Sequence, residues 1–181
     1  MTPIRPFHVD PRAARAAAPT RVVVMGVTST GKSLLGARLA RALGLPFLDG
    51  DDLHPARNVA KMARGEPLDD RDRRPWLDRV GVALARRPCV VACSALRRRY
   101  RDRIRAGAPG TLFVHLRGPR GLIAERMAVR EGHFMPVSLL DSQLATLEPP
   151  GSGERAIRAD VRAEPRAIVA GVIATLRQPV R

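Results

Sequence analysis

With 181 residues, 45% of them hydrophobic, the chain has enough apolar material for one domain with a full core and too little for two. No run of about 18 uncharged apolar residues occurs, which excludes a membrane-spanning helix, and the two cysteines, Cys89 and Cys93, sit too far apart along one apolar segment to pair. The net charge of +15 invites a nucleic-acid or anionic-membrane reading, but the arginines are scattered over the whole chain and aromatics are only 3%, too few for base-stacking platforms. A solvated basic surface, with neither nucleic acid nor membrane as partner, is the expectation, and reduced thiols suit a cytoplasmic protein. Residues 1–20 are Arg- and Ala-rich, broken by proline, and lack the apolar stretch and cleavage site of a secretory signal. They are expected to form a disordered tail ahead of a single domain over residues 21–181.

Within that domain, RVVVMGV (21–27) reads as a buried strand, rich in β-branched residues and stopped by Gly26. Leu35, Leu39, Ala42 and Leu43 then recur at helical spacing, and Gly44 marks the helix end. LPFLDG is a short second strand; ARNVAKMARG and RPWLDRVGVALARR read as helices, with Pro75 placed early in the second. CVVACSA and TLFVHLRG are two more buried strands separated by the helix LRRRYRDRIRAG. Residues 119–131 and 138–147 read as helices, AIRADV as a last strand and EPRAIVAGVIATLRQ as a closing helix. Strands alternating with helices predict an α/β fold, a parallel sheet covered on both faces.

Between the first strand and first helix lies MGVTSTGKS. Gly26, Gly31, Lys32 and Ser33 fit the GxxxxGK[ST] pattern in the strand–loop–helix setting it requires. Glycines let successive N–H groups point inward, and the helix N-terminus adds the positive end of its dipole, so the loop can cradle phosphates. Gly26, Val27, Thr28, Ser29, Thr30, Gly31, Lys32, Ser33 and Leu34 make up the nucleotide-binding segment. Lys32 would reach the β- and γ-phosphates, and the Ser33 hydroxyl would ligate Mg²⁺. At the end of the second strand stand Asp49 and Asp51, where an open α/β sheet places its ligand. Two residues apart in extended chain, they would point to one side. One could organise water around the metal while the other takes a proton from an acceptor hydroxyl.

Four stretches, MGVTSTGKS, FLDGDDLHPARNVAKMARGEPLDDRDRRPWL, CSALRRRYRD and REGHFMPVSLLDSQLATLEPP, together resemble the gluconokinases, P-loop enzymes that phosphorylate D-gluconate with ATP. The resemblance runs from about Val22 to Pro150. It implies an adenylate-kinase-like P-loop fold with a five-stranded parallel sheet flanked by helices and a mobile lid, ATP and Mg²⁺ as cofactors, 6-phosphogluconate as product, and a homodimer. By position, Asp51 would be the base on the acceptor hydroxyl and Asp49 a partner of the metal's water shell. His54, Lys61, Arg73 and Arg97 would line the sugar-acid site, where a carboxylate on a polyol calls for guanidinium forks and hydrogen-bonding side chains. Arg126 and Arg130 resemble lid arginines that close over the transferring phosphoryl group, giving a catalytic set of Lys32, Asp51, Arg126 and Arg130.

Ser29 departs from the family, which usually has glycine there; if the position needs a positive φ, serine is strained. Arg97 stands where some relatives carry lysine. Trp76 reads as a packing anchor beneath the substrate site. Two alternatives remain open at this level: a related kinase for shikimate or another hydroxy acid, and a nucleotide-dependent nucleic-acid-binding protein.

Overall fold

The computed structural model describes residues 7–9, 20–129 and 137–177. In chain order these form β1 (Phe7–Val9), β2 (Arg21–Met25), α1 (Lys32–Leu43), β3 (Phe47–Asp49), a 3-10 turn (Gly50–Leu53), α2 (Ala56–Ala63), α3 (Asp70–Arg86), β4 (Cys89–Ala92), α4 (Arg98–Gly107), β5 (Leu112–Arg117), α5 (Arg120–Ala128), α6 (Val137–Thr146), β6 (Ala156–Asp160) and α7 (Pro165–Arg177). The strand order is β1-β6-β5-β2-β4-β3. The strands from β2 to β6 pair in parallel, so the expected five-stranded parallel sheet is present.

The sixth strand is a finding. β1 adds antiparallel to the outer edge of β6, with Phe7 opposite Ala159 and Val9 opposite Ile157, inside the segment expected to be a disordered tail. A short β-prone triplet meets an edge whose backbone donors and acceptors need partners, which accounts for the difference at these three residues.

β2 and β4 are buried along almost their whole length because helices cover both faces of the sheet. On one face α1 and α7 bury Leu35, Leu39, Ile168 and Val172 against Val22, Val24 and Ile157. On the other, α3 and α4 bury Trp76, Leu77, Val80, Leu84 and Ile104 against Val23, Val91 and Phe113. Each such side chain, fully buried, contributes about 1.5–3 kcal/mol. A third cluster, Val27, Leu96, Ile123, Met127 and Leu140, lies against the loop after β2 and joins it to α5 and α6. The α1 stripe differs slightly from expectation: Gly36 and Ala40 are buried with Leu35 and Leu39, while Ala42 is exposed.

Helix α3 starts earlier than its apolar pattern suggests. Asp69 accepts from the Asp72 N–H at 2.8 Å and the Asp72 carboxylate accepts from the Asp69 N–H at 3.0 Å, a reciprocal capping box that begins the helix at Asp70. Pro75 consequently lies inside the helix rather than near its first position, and one backbone hydrogen bond is forgone there.

A buried ion pair fastens the chain behind the sheet's carboxyl end. Arg101 and Glu154 are 0% and 1% exposed and meet through two bonds, Nε to Oε2 at 2.6 Å and Nη2 to Oε1 at 2.8 Å. The third guanidinium nitrogen, Nη1, donates to the carbonyls of Ala95 and Leu96 at 3.1 and 3.2 Å. Ala95 is buried with a φ of 42°, a conformation unfavourable to a side chain, so this network holds a strained turn immediately before Arg97. Burial raises the Glu154 carboxyl, but hydrogen bonds from Arg101 and the Gly151 N–H outweigh it and hold the group below its ordinary value.

His115, on β5, is 2% exposed, and neither ring nitrogen has a hydrogen-bond partner among the described residues. Burial, with the charges of Arg101, Arg158 and Arg117, lowers its pKa to about 4. An unfolded chain takes up this proton near pH 6.5 whereas the folded chain resists it, so stability falls as pH drops from about 6.5 to about 4. The total is on the order of 3 kcal/mol. His115→Leu is expected to flatten the change in urea midpoint between pH 7 and pH 5. Equal acid losses in both proteins would assign the effect elsewhere. The depressed carboxylates of Asp70, Asp72 and Asp160 act below this window.

Candidate active site

The loop after β2 is shaped by one contact first. Gly26 has a φ of 146°, and a Cβ there would stand 2.7 Å from the Leu116 carbonyl oxygen, so only glycine lets the chain leave β2 against β5. Val27 and Thr30 turn inward: Val27 is buried, and the Thr30 hydroxyl donates to the Val27 carbonyl at 2.8 Å. Their contribution to a ligand is therefore made by backbone alone, as is that of Leu34, whose side chain faces solvent. Lys32 Nζ donates to the same Val27 carbonyl at 2.9 Å, folded back across the loop that it would serve. Gln143, on α6, accepts from the Thr28 N–H at 2.7 Å. Sequence reasoning did not single out Gln143; it lies more than a hundred residues away and carries no local signal.

Ser29 has a φ of 56°. The condition for strain is thus met, and the left-handed conformation costs about 1–2 kcal/mol. Ser29→Gly removes that cost but adds about 0.5–1 kcal/mol of unfolded-state entropy. The expected result is a melting temperature higher by about 2 °C, together with a lower KM for ATP. Calorimetry and initial rates check both, and a lower melting temperature would show that the serine side chain makes a compensating bond.

At the end of β3, the Asp49 carboxylate gathers two groups. Oδ2 accepts from the Ser33 hydroxyl at 2.7 Å, and Oδ1 accepts from the Asp51 N–H at 3.1 Å. Asp49 and Asp51 do not share one extended segment, as their spacing suggested. Asp49 caps the 3-10 turn and Asp51 lies within it, because the Asp-Gly-Asp-Asp run breaks the strand. Gly50 permits the turn to lie on β4: a Cβ there would clash with the Ala92 carbonyl oxygen. Asp51 is exposed, and its charge acts on His54.

Ser33 and Asp49 fit Mg²⁺ by their chemistry. They are hard oxygen donors at hydrogen-bond distance from each other. A cation that keeps its waters and shares phosphate oxygens is the kind that such a pair suits. Nearby Cys93 is buried, and burial pushes its thiol up to about 12, so it is inert at neutral pH.

The remaining candidates form a wall made by the turn, α2 and the starts of α3 and α4. The His54 ring stacks on Trp76 with centroids 4.2 Å apart and planes 13° apart, and Trp76 Nε1 donates to the Gly50 carbonyl at 2.6 Å. Trp76 is thus the packing anchor expected. Burial lowers the His54 pKa; Asp51 works against this and Arg73 adds to it. Lys61 is held by Asp72 at 2.6 Å, and that bond raises the Lys61 pKa. Arg73 lies 5.9 Å from the centre of the Tyr100 ring, and Arg97, the residue preceding α4, is 3.8 Å from the Asp70 carboxylate. Asp70 is the hub that sequence reasoning missed. It accepts from Tyr100 and Arg99, bonds that hold its carboxyl below the ordinary value, while burial first and the Asp70 bond second raise the Tyr100 phenol.

Arg126 is placed differently from the other catalytic candidates. Its guanidinium donates to the Val161 carbonyl at 2.9 Å, tying the end of α5 to the chain after β6. Arg130, the second lid arginine that the resemblance implies, lies outside the described residues.

A family model described as an AAA domain matches residues 22–150. The chain is 46% identical over 160 residues to "Gluconokinase" of Gluconobacter oxydans (strain 621H), covering 86% of this chain and 90% of the relative. It is similar to the crystal structure of a gluconokinase from Sinorhizobium meliloti 1021, with a TM-score of 0.80 and 51% identity over 87% of this chain and 91% of that one. Shikimate kinase from Aquifex aeolicus vf5 shares the fold alone, with a TM-score of 0.58 and 16% identity over 87% of this chain and 96% of that one.

Proposed function

This chain belongs to the gluconokinase family, and from that premise we propose how its residues carry out ATP-dependent phosphorylation of D-gluconate. The enzyme transfers the γ-phosphoryl group of ATP to a gluconate hydroxyl, giving 6-phospho-D-gluconate and ADP. Phosphoryl transfer asks little covalent chemistry of a protein; positioning and charge neutralisation supply most of the rate.

Backbone amides between Gly26 and Ser33, with the N-terminus of α1, bind the phosphates. Lys32 exchanges the Val27 carbonyl for β- and γ-oxygens. Ser33 and Asp49 would hold Mg²⁺ and its water, and the ion would supply positive charge that offsets the phosphates. Asp51 takes the proton of the acceptor hydroxyl. His54, Arg73 and Arg97 bind the sugar acid, and Lys61, paired with Asp72, borders the same wall. Arg126 leaves the Val161 carbonyl and, with Arg130, closes over the transferring group to exclude water. The protein works in the cytoplasm, a reading supported by two buried, unpaired cysteines, and as a homodimer.

The observation that carries this reading is the 2.7 Å bond from Ser33 to Asp49, which joins the phosphate loop to the strand whose next turn bears Asp51. Incubation with ATP, Mg²⁺ and a panel of sugar acids, following ADP release, tests it. Gluconate is expected to drive release and shikimate is not; release no faster with gluconate than with ATP alone would overturn the reading.

A further inference from the structure

His54 ends the 3-10 turn just before α2, and Asn58, four residues on, is fully buried on α2. The Asn58 side-chain nitrogen, Nδ2, lies 2.8 Å from the Asp72 carbonyl oxygen and 3.2 Å from His54 Nδ1. A backbone carbonyl can only accept, so the atom facing Asp72 must be the amide NH₂. Turning the amide over would set its oxygen against the Asp72 oxygen and leave two donors without acceptors. The observed orientation leaves just one atom, Asn58 Oδ1, without a partner among the described residues. With one N–H directed to Asp72, the other points at His54 Nδ1. That nitrogen therefore accepts, and in a neutral imidazole the proton resides on Nε2.

We propose that Asn58 is a positioning residue that locks His54 in the tautomer protonated at Nε2, so that the ring offers a neutral N–H donor to an acceptor oxygen of the sugar acid. The opposite tautomer would present a lone pair, which repels a carboxylate and serves only hydroxyl protons. Ring position is fixed as well as proton position: Trp76 backs one face of the imidazole, and the residue's own backbone is held by its main-chain N–H, which donates to the Asp51 carbonyl at 3.2 Å. The burial that keeps the imidazole neutral acts in the same direction. Asn58 is itself set by α3, since the residue that receives its amide, Asp72, belongs to the helix-capping box and also holds Lys61.

The proposal rests on His54 contacting the sugar acid, so its test has one readout that needs no substrate. Long-range proton–nitrogen spectra of ¹⁵N-labelled full-length protein at pH 8, with His54 assigned by comparison with His54→Gln, report which ring nitrogen carries the proton. The expected state is Nε2–H, and Asn58→Asp, nearly the same shape but an acceptor only, is expected to move the proton to Nδ1. In kinetics, Asn58→Ala is expected to raise KM for gluconate about tenfold while kcat and KM for ATP stay within about twofold. A wild-type spectrum with Nδ1–H, an Asn58→Asp spectrum unchanged from wild type, or unchanged gluconate KM in a folded Asn58→Ala protein each overturns the proposal. The wild-type spectrum decides even where a variant fails to fold. Absent gluconate turnover in the wild type would instead strike the functional reading, leaving the tautomer assignment standing.

Discussion

Lys32→Ala is expected to lower turnover by about 10²–10³-fold or more at saturating ATP and gluconate, the loss that follows from deleting one preorganised donor to developing charge. The effect is large because the Lys32 ammonium is already held across the phosphate loop, 2.9 Å from the Val27 carbonyl. The backbone amides around it stay in place when the side chain is removed, so the fold should survive, which circular dichroism verifies. Lys32→Arg should rescue little, since a planar fork does not replace a compact ammonium in so close a loop. A purified alanine variant with near-normal ADP release would mean that the charge is neutralised elsewhere.

Asp51→Asn separates binding from chemistry. Losing a general base lowers kcat by about 10²–10⁴-fold. The turn itself is kept by the residue 51 backbone N–H, which bonds Asp49, and not by the Asp51 carboxylate. ATP affinity, measured by calorimetry without gluconate, is therefore expected to change less than about twofold. If affinity and turnover fell together, Asp51 would belong to the nucleotide side of the site and the proton would leave by another route.

The first of these residues shows what a sequence discloses readily. Gly26 to Ser33 are consecutive, and the spacing of Gly, Lys and Ser carries its own geometry, so the cradle could be read before any fold was known. The alternation of β-branched runs with helical stripes likewise disclosed the parallel sheet. The short edge strand at Phe7–Val9 was not legible, because its partner, β6, is far along the chain and pairing rather than composition makes it a strand. Asp51 was read into one extended segment with Asp49 but lies in the 3-10 turn that follows, since spacing alone does not tell an extended segment from a tight turn. The wall of the site was hardest to foresee. Asp70, Tyr100 and Asn58 acquire meaning only when helices cross, as does Gln143 over the phosphate loop, and nothing local distinguishes Asp70 from the acidic residues beside it. Arg126 carries a matching position, yet its observed partner is a carbonyl that only the folded chain brings near.

The Arg101–Glu154 pair also constrains how this chain can change over generations. Removing Glu154 leaves Arg101 a buried cation without its carboxylate, and removing Arg101 leaves the buried Glu154 carboxylate with the longer ion pair to Arg105 at 3.5 Å. Breaking such a pair costs about 3–5 kcal/mol, a large share of the roughly 5–15 kcal/mol typical of a folded domain, whereas exchanging both for well-fitted apolar side chains can be neutral. Single-step drift at positions 101 and 154 is thus blocked while concerted drift is open. The two positions should be inherited together, and a hybrid gene spliced from two lineages with its crossover between residues 107 and 150 would fold only where both parents carry compatible partners.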